Sequence, residues 1–71
     1  MIRYDRLWET MKKKKVTTYT LREHYKMSHS TIQRLQANQS VTTYTLDRLC
    51  EILDCGLEDI AEYIPNKNVS D

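Results

Sequence analysis

Residues 17–35 read Thr17-Thr18-Tyr19-Thr20-Leu21-Arg22-Glu23-His24-Tyr25-Lys26-Met27-Ser28-His29-Ser30-Thr31-Ile32-Gln33-Arg34-Leu35. Thr17 offers a capping hydroxyl to a short helix from Thr18 to about Tyr25, with Leu21 and Tyr25 turned inward. After Lys26 and Met27, Ser28 offers a second cap, to a helix that runs to about Ala37 and buries Ile32 and Leu35. Two short helices joined by a tight turn are the skeleton of a helix-turn-helix.

Outward from this stretch, the apolar spacing gives three more helices. One runs from Asp5, read as its N-cap, to about Lys14, with Tyr4, Leu7, Trp8 and Met11 on one face and Trp8 as core anchor. The segment Val16-Thr17-Thr18-Tyr19-Thr20-Leu21 recurs letter for letter as Val41-Thr42-Thr43-Tyr44-Thr45-Leu46. Both copies read as helix starts, in which the valine before the cap and the leucine of the first turn form a hydrophobic staple. The residues after each copy diverge, so this is one start signal used twice and not a duplicated domain. The helix after Thr42 buries Leu46, Leu49, Cys50 and Leu53, and Asp54 ends it in a left-handed conformation. Gly56 then caps a fifth helix carrying Leu57, Ile60, Ala61 and Ile64, which Pro65 stops. The expectation is an all-α, compact five-helix domain over residues 1–64, followed by a frayed polar tail over 65–71.

Length and composition narrow the function classes. A chain of 71 residues is one small domain, close to the lower limit for a self-sufficient core. Its apolar runs fall short of the roughly 20 residues of a membrane span, and no basic segment followed by an apolar stretch opens the chain, so a cytoplasmic, nucleoid-associated location is expected. Cys50 and Cys55 match no zinc-ligand spacing and read as reduced thiols at the core or its edge. No metal, cofactor or small-molecule ligand is expected. Nor is an enzyme: no Ser-His-Asp or Cys-His grouping, carboxylate pair or glycine-rich phosphate loop is present, and one glycine is little from which to build a substrate pocket. The charge is uneven. Residues 1–37 carry nine basic and three acidic side chains, net +6, and residues 38–71 carry two basic and seven acidic ones, net −5. A basic half can face a polyanion while the acidic half keeps away from it.

The helix after Ser28 carries His29, Ser30, Thr31, Gln33, Arg34 and Gln36, hydrogen-bonding side chains with almost no formal charge, where a merely solvated face favours Lys and Glu. Such groups match base edges in the major groove of double-stranded DNA, and His29, Ser30, Gln33 and Arg34 are the expected base readers. Phosphates are expected at Thr17, Thr18, Tyr19, Thr31, Asn38, Thr42 and Thr43, where free backbone N–H groups and hydroxyls donate without charge. The threonines also cap helices, and the two roles are compatible. Lys12 to Lys15 suit the negative end of their helix dipole and add long-range attraction to a polyanion.

The stretch quoted first resembles the helix-turn-helix of the Xre and lambda-repressor-like regulators of the Cro/cI type, small single-domain members in bacteria and phages above all. Ser28-x-Ser30-Thr31-Ile32-x-Arg34 is its strongest part. The resemblance continues through Thr42-x-x-Thr45-Leu46-x-x-Leu49-Cys50-x-x-Leu53 and Leu57-Glu58-Asp59-Ile60, and covers roughly residues 4–64. It implies a recognition helix over about 29–37 and a transcriptional regulator, most simply a repressor. Three residues depart from the pattern. Thr18 stands where a glutamine often touches phosphate, Arg22 where a small or apolar residue lets the helices pack, and Lys26 where glycine takes the left-handed turn. A homodimer is expected, reading two half-sites about one DNA turn apart, with Tyr63, Ile64 and Pro65 of the fifth helix as its surface. The second reading is a protein-binding module on the same fold, an antitoxin-like or anti-repressor partner that uses the acidic half.

Overall fold

The computed structural model describes residues 1–65, so the polar tail beyond Pro65 lies outside the described residues. The described chain forms α1 (Asp5–Lys14), α2 (Thr18–Glu23), α3 (His29–Gln36) and α4 (Thr43–Leu53), with a 3₁₀ turn at Leu57–Asp59 and two short strands, β1 (Ile2–Arg3) and β2 (Glu62–Tyr63). Three helices begin with one device. The hydroxyls of Thr17, Ser28 and Thr42 accept from the N–H groups of Thr20, Thr31 and Thr45 at 3.1, 3.2 and 3.2 Å. In each case the residue at the third helical position adds a hydroxyl contact of 3.0, 2.8 or 3.2 Å to the cap, replacing the Glu or Gln of a capping box. α1 starts differently. Asp5 is its first helical residue and not its cap, and Tyr4 holds the cap position without a side-chain cap bond. The Asp5 carboxylate is engaged at 2.7 and 3.2 Å by Arg3, which holds it below the ordinary carboxylate range.

The helix ends are equally uniform. Lys15, Asn38 and Asp54 adopt left-handed φ values of 60°, 56° and 51°. Behind them Val16, Gln39 and Cys55 donate their N–H groups to the carbonyls of Met11, Arg34 and Cys50 at 2.9, 2.8 and 3.1 Å. These are Schellman closures, in which the first and last residues of the ring bring their side chains together. Cys50 and Cys55 thereby form a half-buried pair of free thiols, and burial pushes both above the ordinary thiol range. Lys26, at φ 59°, makes the turn between α2 and α3 as expected, and Met27 N–H closes on Leu21 O at 2.9 Å. Each left-handed residue with a side chain costs about 1 kcal/mol or more relative to glycine.

Tyr4, Leu7, Met11, Leu21, Met27, Ile32, Leu35, Leu49, Leu53 and Ile60 make up the core. Trp8, read as the core anchor, is half-buried at its margin, as are Tyr25, Leu46 and Cys50. Tyr4 takes the anchoring role. Its ring is buried, its hydroxyl donates to Gln39 O at 3.0 Å, and its N–H donates to the Asn38 side-chain oxygen at 2.8 Å, tying α1 to the α3–α4 connection.

The expected fifth helix does not form. Asp59 and Ile60 donate to Gly56 and Leu57, three residues back, at 3.0 Å each, which is 3₁₀ and not α-helical bonding. In a continuing α-helix the carbonyls of Glu58 and Asp59 would accept from residues 62 and 63. Here they accept instead from Arg6 at 3.1 Å and the Thr10 hydroxyl at 2.8 Å. Released from the helix, residues 62 and 63 pair antiparallel with β1, Arg3 opposite Glu62 and Ile2 opposite Tyr63. Met1 and Ile64 extend the register, with the terminal ammonium donating to Ile64 O at 2.6 Å and Ile64 N–H to Met1 O at 2.8 Å. The described residues thus form four α-helices with a small two-stranded sheet that joins residues 2–3 to residues 62–63. No described helix is long and apolar enough to cross a membrane.

Candidate nucleic-acid interface

On α3 the core takes Ile32 and Leu35, and His29, Ser30, Gln33, Arg34 and Gln36 are all exposed. At 3.6 residues per turn these five fall within an arc of roughly 160° opposite the buried side. Four of them, His29, Ser30, Gln33 and Arg34, are the side chains expected to read bases, and the helix holds them in one stripe. Thr31 stands on the flank, half-buried, its hydroxyl accepting from Ser28.

One helix start borders this stripe in the fold. Thr31 and Arg34 share a concavity with Ser40, Thr42 and Thr45 at the start of α4. At the start of α2, Thr17 and Thr18 share a second concavity with Lys12, Trp8 and Val16. Arg48 fixes the turn between α2 and α3 by donating to Tyr25 O at 2.9 Å. Arg22, at the position where a small residue is usual, lies outward along the helix surface, 5.9 Å over the Tyr19 ring and 3.4 Å from Glu23. It therefore leaves the contact between α2 and α3 free.

The hydroxyls of Thr17 and Thr42 are already occupied as caps, so what α2 and α4 offer an anion is mainly backbone. The N–H groups of Thr18 and Tyr19, and of Thr43 and Tyr44, precede the first residue that can find an intrahelical acceptor and point out of the helix ends. Asn38 has given its carboxamide oxygen to Tyr4 and keeps its NH₂ for an external acceptor. Tyr19 and Tyr44 occupy the same position of the two starts and are 65% and 68% exposed. Tyr44 was not among the residues singled out in the sequence, although the repeat that gives it the position of Tyr19 in the second helix start was the available signal.

Ion pairs engage Arg3 with Asp5, Arg6 with Glu62 and Arg22 with Glu23, and none of those described uses Lys12 to Lys15 or Arg34. No cluster of metal-ligating side chains occurs among the described residues. Tyr63, Ile64 and Pro65, expected on a fifth helix, lie instead on and just after β2, and all three are exposed.

Comparison with known proteins identifies the family. A family model described as a Cro/C1-type HTH DNA-binding domain matches residues 6–66. Among solved structures, the crystal structure of the transcriptional regulator VanUg, form II, is similar at 32% identity with a TM-score of 0.83, over 92% of this chain and 87% of that one. No curated protein sequence matches. Since the family match takes in the capped helices, the left-handed turn and the exposed stripe of α3, this chain belongs to the Cro/C1-type helix-turn-helix DNA-binding domain family.

Proposed function

We propose that the protein is a sequence-specific DNA-binding transcriptional regulator, a repressor that occupies its operator as a homodimer. The observation that carries this reading is the exposed, nearly uncharged stripe of α3, in a domain with two identically built helix starts, of which that of α4 shares a concavity with the stripe. α3 lies in the major groove. There Arg34 and His29 present donors to guanine N7 and O6, Gln33 pairs with the adenine edge, and Ser30 adapts to several partners. The starts of α2 and α4 hold the backbone on the two sides of the groove through the N–H groups of Thr18, Tyr19, Thr43 and Tyr44. Thr17, Thr31, Asn38 and Thr42 add side-chain contacts. The tyrosine rings at positions 19 and 44 pack against sugar and phosphate. Lys12 to Lys15 contribute attraction that acts alike on all sequences. One α3 spans too few base pairs for useful discrimination, and a two-fold dimer doubles the site. Repression follows most directly from occupancy, since a bound dimer denies the same DNA to other proteins.

The test is selection of bound duplexes from a randomised pool, then a salt titration of the winner against an unselected duplex. The expected result is an inverted repeat bound with steep salt dependence. A pool that yields no motif, with binding weak even at low salt, removes the reading.

A further inference from the structure

The three helix ends that close as six-residue rings differ in what stands at the two ends of the ring. The ring after α1 runs from Met11 to Val16, and the ring after α3 from Arg34 to Gln39. The ring after α4 runs from Cys50 to Cys55, the two cysteines of the chain. Met11 and Val16 close their ring with no sulfhydryl at all, so the motif itself does not call for two thiols.

The backbone brings these thiols together. Cys55 N–H donates to Cys50 O at 3.1 Å, and Asp54 between them, at φ 51° and ψ 57°, folds the chain back so that the first and last side chains of the ring converge. Each thiol acts directly on the proton of the other. A disulfide requires Cα atoms roughly 4.4–6.8 Å apart and converging side chains. A backbone hydrogen bond between the two residues holds them within that reach without displacing α4. Neither thiol is sealed in the core. Both residues are half-buried, and Cys50 lines a surface concavity with Thr43, Leu46, Asp47 and Leu57.

We propose that Cys50 and Cys55 form a reversible dithiol–disulfide site, oxidised within the chain by a low-molecular-weight disulfide. The Cys50 thiolate, on the concavity, attacks one sulfur of the small disulfide; a mixed disulfide forms and one small thiolate leaves. The Cys55 thiolate then attacks the Cys50 sulfur, the internal S–S bond forms as the mixed one breaks, and the second small thiolate leaves. The two protons given up by the protein end on the two small thiols. The chain is oxidised by two electrons and the small disulfide is reduced by two, so an excess of small thiol runs the exchange backwards.

The surroundings restrain the rate. Burial keeps both thiols protonated. The carboxylates of Asp47 on α4 and of Glu58 and Asp59 in the 3₁₀ turn add to this at Cys50, and Asp59 does so at Cys55, where Lys14 of α1 opposes it. Exchange is therefore slow at neutral pH and quickens as the pH rises. Its product joins two residues that the native fold already holds together, so it constrains the unfolded chain more than the folded one. It fixes the end of α4 to the 3₁₀ turn whose carbonyls meet Arg6 and Thr10.

The full chain, equilibrated with glutathione at graded ratios of disulfide to thiol, alkylated and weighed by mass spectrometry, tests this once in native buffer and once in urea that unfolds it. The expected product is a single chain with neither cysteine alkylated and no glutathione attached. It should form in the native protein at an oxidant level at least about tenfold lower than in the unfolded chain, where only the four intervening residues join the cysteines. The oxidised protein should melt above the reduced one, by about 5 °C or more. Cys50→Ser and Cys55→Ser should each end as an adduct with one glutathione. DNA takes no part in any of these measurements, so their outcome stands apart from the DNA reading. A native wild type that carries two glutathiones or links chain to chain, or an internal disulfide that forms as readily in urea as in native buffer, would overturn the proposal.

Discussion

Val16–Leu21 and Val41–Leu46 are the same six residues and start their helices through the same bonds, yet α2 stops after 6 residues and α4 continues for 11. The cap bonds measure 3.1 and 3.2 Å, the hydroxyl pairs 3.0 and 3.2 Å, and the tyrosines are exposed alike. The difference lies downstream. In α4, Leu49 and Leu53 extend the stripe begun by Leu46, and the helix keeps finding core to bury. In α2, Arg22, Glu23 and His24 follow Leu21, and the left-handed Lys26 then turns the chain so that Met27 enters the core. Six residues suffice to fix a helix start and the backbone groups it shows to an anion. The apolar spacing that follows fixes its length and its burial.

The comparison breaks first at the leucine that the copies share. Leu21 is fully buried and Leu46 only half-buried. Leu21→Ala should cost about 2–5 kcal/mol and Leu46→Ala about half as much, measured by urea unfolding. Equal losses would mean that the two starts sit in equivalent packing. Next comes the stripe that lies between the copies. Gln33→Ala or Arg34→Ala should lose about 1–3 kcal/mol on the selected operator and little on random DNA, whereas Lys13→Ala should weaken both alike, by gel-shift titration. The caps sharpen the likeness. Thr17→Ala and Thr42→Ala should each cost about 1 kcal/mol of folding stability, and a clear inequality would show that the surroundings, not the cap bond, set the value. Smallest is the turn that ends the first unit. Lys26→Gly should stabilise by about 1 kcal/mol, seen as a rise in Tm of about 4–8 °C.

Much of this could be read in the sequence because it is local. A hydroxyl residue ahead of an i, i+3, i+4 apolar stripe fixes a helix within a few residues of chain, and Ser28, Ile32 and Leu35 placed α3 and its exposed side together. The left-handed position at Asp54 was legible in the same way, and that at Lys26 only through the resemblance to the Cro/cI-type pattern. The fifth helix was misread because Leu57, Ile60, Ala61 and Ile64 suit a 3₁₀ turn leading into a strand as well as they suit an α-helix. The choice is made by Arg6 and Thr10, some fifty residues distant, which take the carbonyls a helix would need. Two-residue strands carry no period, so β1 and β2 become visible only when residues 2–3 meet residues 62–63. Asp5 as a cap failed for a related reason, since Arg3 claims its carboxylate. Trp8 gave up the anchor to Tyr4, whose hydroxyl and N–H both find partners in the α3–α4 connection.

We propose that α3 and the starts of α2 and α4 face DNA and that the 3₁₀ turn does not. Amide chemical-shift mapping of ¹⁵N-labelled protein titrated with the selected duplex tests it residue by residue. The largest shifts are expected at His29 and Ser30, where α3 begins, and at Thr18, Tyr19, Thr43 and Tyr44, with Gly56 to Asp59 unmoved. Shifts centred on Leu57 to Asp59, with the three helix starts silent, would contradict the account.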